Sequence, residues 1–199
     1  MVAKKDRRIE ILEASLRIFS TKGYHTAKME GIAKEAGIGK GTLYEYFKGK
    51  KHLFHEMLKY TLIKYKEEEE KVLDMEGPIR DKLIAFSAFN GRFLSEYMDL
   101  AENVMNSVSV LSDDVKVWMM KKKTELIKVL QEVIQQSIDS GELRKDLNAE
   151  LATLALSGTI RVYYGKRLNF DKEKYSNIDP ALPIDMMLEG MVDRDVVGS

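Results

Sequence analysis

The sequence predicts an all-α fold of about nine helices. Apolar residues recur at helical spacing along most of the chain, as a buried helix face requires. Only three prolines interrupt 199 residues with long stretches of Glu, Lys, Leu and Ile. No stretch reads as a convincing strand, and no repeat or low-complexity tract is present.

Ile9, Leu12, Leu16 and Phe19 mark the apolar side of the first helix, and Gly23 stops it just after Lys22. A second, short helix covers about Met29 to Ala36, with Ile32 and Ala33 facing inward, and Gly37 breaks it. A third runs from about Lys40 to Phe47 and ends at Gly49. The fourth starts at about Lys50, carries Leu53, Phe54, Met57, Leu58 and Leu62, and runs into Glu67-Glu68-Glu69-Glu70, which reads as a solvated face. Gly77-Pro78 marks the next joint, because proline suits the first turn of a helix. Beyond it Ile79, Leu83, Phe86, Phe93 and Tyr97 form a stripe that Asn90 interrupts. A shorter segment spans Leu100 to Leu111, and Ser112-Asp113-Asp114 opens a helix that runs to about Ser140. Another extends from near Asp146 to about Arg167; Asn169 to Pro183 reads as a loop, and Ile184 to Met191 as a last short helix.

Composition narrows the function. The chain has no Cys, which excludes a disulfide scaffold, a thiolate metal site and a cysteine nucleophile. No run approaches the roughly 20 apolar residues of a membrane helix, and the charged start lacks the apolar stretch of a secretory signal. A soluble, cytoplasmic protein with no membrane partner is the expectation. The 32 basic and 32 acidic residues balance, yet residues 1–59 hold 13 Lys and Arg against 7 Asp and Glu. A basic first third on an acidic remainder fits a polyanion-binding head on a body that binds something else, or chance clustering on solvated faces. The motif inside the head decides between them.

Residues Ile32 to Phe47 read as a helix-turn-helix. Ala33 is small where two helices cross, and Gly37 can take the positive φ of a tight interhelical turn. Ile32, Ile38, Leu43 and Phe47 can close a small core against the Leu12–Phe19 face. Lys40, Thr42, Tyr44 and Tyr46 are then left outside, a helix end suited to a major groove. Gly37-Ile38-Gly39-Lys40-Gly41-Thr42 is not a phosphate-binding loop, since Lys40 is followed by Gly41 and preceded by helix rather than strand.

From Ile11 to about Leu58 the chain resembles the TetR family of bacterial transcriptional regulators. The likeness rests on Ala14, Phe19, Gly23-Tyr24, Met29, Ile32-Ala33, Ala36-Gly37-Ile38, Lys40-Gly41-Thr42-Leu43-Tyr44, Tyr46-Phe47, Lys50 and Leu53-Phe54, in matching order and spacing. It implies a homodimeric, ligand-responsive repressor whose two recognition helices enter successive major grooves of a palindromic double-stranded operator. The division it implies is a DNA-binding head at 1–50 and an effector-binding, dimerising helical bundle at 51–199. Lys40, Gly41, Thr42 and Tyr44 take the groove-facing positions, and Tyr46 and Lys50 the phosphate contacts. Where the family usually has a capping Thr before the second helix, this chain has Ala27-Lys28. Lys28 supplies a charge to phosphate in its place or is simply solvated. Lys4, Lys5, Arg7 and Arg8 lie along the DNA as a flexible arm or serve as a solubilising terminus.

By the same resemblance the body holds the pocket for a small, mainly apolar effector, with Phe86, Phe89, Asn90, Phe93, Trp118 and Tyr163 as candidate lining. Aromatic residues at helical spacing also serve as plain core, and that alternative stands beside the pocket. Asn90 needs a buried partner on either reading. Arg161 pairs with an acidic effector or sits in a surface salt bridge. Ala155, Ser157 and Gly158 let helices approach closely, and the family's four-helix dimer bundle points to Leu151, Leu154, Ala155, Gly158, Val162, Leu182, Met187, Leu188 and Met191 as the interface. His52, His55 and Glu56 offer a weak metal pattern that reads better as solvated. All three His lie within residues 25–55, and no carboxylate arrangement suits acid–base work, so neither an enzyme nor a cofactor is expected. The rival reading is a helical small-molecule carrier or adaptor whose basic head contacts a protein or membrane.

If Thr42 reads a base edge, Thr42→Ala relaxes preference at one operator position by about 1–3 kcal/mol. An unchanged site logo from in vitro selection refutes the assignment.

Overall fold

Eight α-helices make up the described fold, without any strand among the described residues. A computed structural model describes residues 2–105 and 108–190, with side chains at 6–97 and 109–190. The helices are α1 (Val2–Thr26), α2 (Met29–Glu35), α3 (Lys40–Tyr46), α4 (Lys50–Leu73), α5 (Ile79–Met105), α6 (Asp113–Ser140), α7 (Ala149–Gly165) and α8 (Leu182–Glu189). Short 3-10 turns occupy 108–110 and 175–177, and a π turn follows α7 at 166–170. The expected ninth helix is absent because Leu100 to Met105 continues α5. No proline or glycine stands between Tyr97 and Met105 to stop it.

Helix ends follow local chemistry. Gly23 (φ 68°) kinks α1, and Gly37 (φ 65°) makes the tight turn after α2, where the Ile38 amide donates to the Ala33 carbonyl at 3.0 Å. Asn148 caps α7 by accepting the Leu151 amide at 2.9 Å, which places its start two to three residues after the expected Asp146. The first amide of α5, on Ile79, donates to the Glu142 carboxylate at 2.8 Å. That anion also suits the positive end of the helix.

The backbone divides into two units. The first comprises residues 1–65 and 96–122, and its core gathers Ile11, Leu12 and Phe19 of α1 with Ile32, Leu43, Phe47, Leu53, Phe54 and Met57. Phe19 and Phe54 meet edge to face at 5.0 Å. The expected helix-turn-helix core is therefore present, with Ile38 only half-buried. The basic N-terminal residues expected as a flexible arm or solubilising terminus belong to a helix. They lie in α1, where Arg7 pairs with Glu10, and Arg8 pairs with Glu56 at 2.6 Å and stacks over Phe47.

The second unit comprises residues 66–95 and 123–199. Leu83, Phe86 and Phe89 of α5, Leu130 and Ile134 of α6, Leu156, Ile160 and Tyr164 of α7, and Ile184 of α8 are buried in it. The Tyr164 ring packs against α5 where Gly91 leaves room: a Cβ at 91 would stand 2.1 Å from the ring. The run Glu67–Glu70 is not uniformly solvated, because Glu69 is buried, at 3% exposure. A helix places every third or fourth residue on its inner face, and Glu69 and Leu73 are one such pair. The Glu69 Oε2 atom has no hydrogen-bond partner, and burial pushes the carboxyl up to about 8.

Gly91→Ala would gain roughly 0.5–1 kcal/mol from helix propensity alone. Displacing the Tyr164 ring outweighs that, so a net loss of about 1–3 kcal/mol is expected in denaturant melts. A stabilised variant would contradict the packing. For Glu69 the folded affinity for protons lies above the unfolded one. Its stabilisation is complete below about pH 4 and is lost as pH rises toward about 8. Glu69→Gln is expected to flatten that fall and raise the melting temperature at pH 8, measured by thermal melts from pH 4 to 8.5.

Candidate functional site

The head presents α3 outward from its core. Leu43 is fully buried, and the opposite side exposes Lys40, Gly41 and Tyr44, with Thr42 half-buried. Gly41 has no atom within 4 Å of where a Cβ would stand, so nothing inside the chain demands a glycine there. Lys40 reaches back to Glu30 of α2 at 2.6 Å. The hydrogen bond and charge of Glu30 raise the lysine's proton affinity, and Lys40 lowers that of Glu30. Both side chains are exposed, so the pair is readily exchanged for another anion.

The expected phosphate contacts fare differently from one another. Lys28 is exposed and precedes α2 without capping it by a side-chain hydrogen bond. Tyr46 is half-buried and packs against the head's core rather than standing free. Lys50 turns inward: its Nζ donates to the His25 carbonyl at 3.0 Å and the Ala27 carbonyl at 2.8 Å, 4.6 Å from the Tyr24 ring centroid. Burial lowers its proton affinity. In the weak metal pattern, His52 Nδ1 accepts the Lys48 amide, and Glu56 is held by Arg8 and Lys59. His55 is partly buried, and desolvation lowers its proton affinity.

The six candidate pocket residues are divided between the two units. Phe86, Phe89, Asn90 and Phe93 share α5, and Phe89 and Phe93 lie 6.3 Å apart. Phe86 and Phe89 are buried, while Phe93 is half-buried. Asn90 donates to the Phe86 carbonyl at 2.8 Å, so one buried partner it needed is its own helix. Tyr163 donates to the Asp179 carbonyl at 2.9 Å, with Arg167 over its ring. Trp118 belongs to the first unit and the other five to the second.

The aromatic residue that the helix turns into the core is Tyr164, not Tyr163. Its spacing from Leu156 and Ile160 (i, i+4, i+8) was the available signal. Burial pushes its hydroxyl up to about 12, and that hydroxyl, like that of Ser87, is buried without a well-formed hydrogen bond. Tyr175 donates to the Ala88 carbonyl at 2.8 Å, tying the segment after α7 to α5.

The candidate dimer residues form an exposed apolar stripe. Leu151 and Val162 are each 66% exposed, Leu154 and Leu182 about half, with half-buried Ala155 and Gly158 between them. Met187 and Leu188 are half-buried, and Met186, not singled out from sequence, is exposed instead. Met191 lies outside the described residues. Beside the stripe, Leu83, Ile134, Leu147, Leu156 and Met187 line an apolar groove of about 400 Å³.

Residues 11–57 match the family described as bacterial regulatory proteins, tetR family. The fatty acid metabolism regulator protein of Bacillus subtilis (strain 168) is 25% identical over 164 residues, covering 80% of this chain and 82% of that protein. The HTH-type transcriptional repressor KstR2 of Rhodococcus jostii (strain RHA1) is 26% identical over 168 residues, covering 78% and 77%. The crystal structure of the Bacillus subtilis transcriptional regulator FadR in complex with stearoyl-CoA aligns with a TM-score of 0.70 at 20% identity, over 92% of this chain and 99% of that one. The helix-turn-helix head thus matches the tetR family of bacterial regulatory proteins over residues 11–57, and the rest of the chain is similar to regulators of this kind at about a quarter identity.

Proposed function

We propose that the chain is a homodimeric transcriptional repressor that binds a palindromic operator and is released by a long-chain acyl-CoA. The observation that carries this reading is the head: a buried core holds α3 with Lys40, Gly41, Thr42 and Tyr44 on its open side. That surface matches a major groove in size, charge and hydrogen-bonding capacity. In this reading residues 1–50 are the DNA-binding head and 51–199 the sensing and dimerising body.

The acyl-CoA assignment draws on the relatives, one named for fatty acid metabolism and one solved with stearoyl-CoA. It also agrees with the expectation of a mainly apolar effector. The apolar residues of α7 and α8 support the dimer, since Leu151, Leu154 and Val162 on one side of α7, with Leu182 and Met186 on α8, are all exposed and costly to leave in water together. A two-fold axis places that patch against its own copy. Two heads at a fixed separation then suit two half-sites about one helical turn apart. The effector acts by binding one separation of the heads more tightly than the other.

The test is a titration of labelled DNA from upstream of the protein's own gene, at two salt concentrations, with and without stearoyl-CoA. Specific, salt-sensitive binding is expected, and stearoyl-CoA is expected to weaken it at least tenfold, a differential of about 1.4 kcal/mol. Binding without preference over random DNA removes the repressor reading in favour of a carrier or adaptor. Specific binding that stearoyl-CoA leaves unchanged removes only the effector.

A further inference from the structure

We propose that Lys50 is a positioning residue of the DNA-binding head, clamping the α1–α2 junction to the start of α4 and so setting the direction in which α2 and α3 leave it. Three observations carry this. First, the Lys50 ammonium holds two backbone carbonyls, His25 at 3.0 Å and Ala27 at 2.8 Å, on either side of Thr26. Second, its charge lies 4.6 Å from the Tyr24 ring centroid, and that ring packs 4.9 Å from Phe54 of α4. Third, no side chain caps the start of α2. Lys28 is extended (φ −114°, ψ 142°) and makes no side-chain hydrogen bond to α2, and Thr26 stands too early to replace one.

The chain bends twice within a few residues, at Gly23 and again into α2. A bend without a cap leaves the α2 direction weakly determined by local chemistry. Lys50 supplies the missing constraint from α4. An ammonium has three donors, and two of them are directed at carbonyls here. A phosphate contact would require this group to leave a partly buried, well-matched seat. Its lowered proton affinity reflects the same inward placement.

The proposal rests on the DNA-binding reading of the head, and the experiment separates the two. Wild type and Lys50→Met, which keeps much of the stem over Tyr24, are compared on the preferred upstream fragment and on random-sequence DNA across a salt series. Amide exchange and melting are measured on the free proteins. A clamp predicts that operator affinity falls about tenfold while affinity for random DNA and the salt slope stay unchanged. It also predicts faster exchange confined to the first turn of α2.

A direct phosphate contact predicts instead that both affinities fall together, that the salt slope drops by about 0.9, and that exchange does not change. That result overturns the proposal. So does an unchanged operator affinity, and so does a parallel loss on both DNAs with a lower melting temperature and exchange accelerated throughout α1–α4. If wild type itself shows no sequence preference, the repressor reading fails, and the exchange data still decide whether the clamp exists.

Discussion

The contact on which the head depends is the buried meeting of Phe19 and Phe54 with Ile32, Leu43 and Phe47. A helix of seven residues such as α3 has no stability of its own in water. It exists because Leu43 and Phe47 are drawn into that core, and its outward side is then determined by elimination. The outward chemistry is thus a consequence of packing: Lys40 and Tyr44 are exposed and Thr42 half-buried because Leu43 and Phe47 take the inner side. The same core seats Arg8 over Phe47 and, through Tyr24, the Lys50 ammonium.

Most of the head was legible from sequence because short helices with punctuating glycines leave little freedom in register. Gly23 kinks α1, Gly37 and Gly49 bound the elements after it, and the apolar residues between them fall on one side. What escaped were polar side chains whose destination depends on tertiary neighbours. Lys50 reads as a surface lysine until the α1–α2 junction is seen beside it. Arg8 reads as part of a charged tail until Glu56 and Phe47 are seen across from it. Every one of these partners lies more than 20 residues away in the sequence, so no local pattern could announce them.

The body was less legible for a different reason. Its helices are long, and a stripe of aromatics on a long helix satisfies core and pocket equally well. Tyr163 and Tyr164 show how little separates the two: one residue is a rotation of about 100° around the axis, and it takes the ring from half-buried to buried. Glu69 marks the opposite failure, a carboxyl inside a run of four that composition assigns to water. The exposed stripe of α7 was recoverable because Leu151, Leu154 and Val162 keep helical spacing with small residues between them. Its neighbour α8 was placed with less precision, and Met186 rather than Met187 is the more exposed of the pair.

The ion pair between Lys40 and Glu30 changes the ion balance of any encounter with DNA. A lysine that neutralises a phosphate sets free a counterion condensed on the duplex, and that release is the source of salt sensitivity. Lys40 arrives carrying its own counter-charge. If it turns to the duplex, Glu30 is left bare beside a polyanion and must recruit a cation from solution, cancelling the one set free. On the proposed reading, a head residue of this kind would add contact chemistry at the groove without adding to the general stickiness for nucleic acid. A small regulator that must search a whole genome gains from that arrangement, since time lost on irrelevant sites grows with every uncompensated charge.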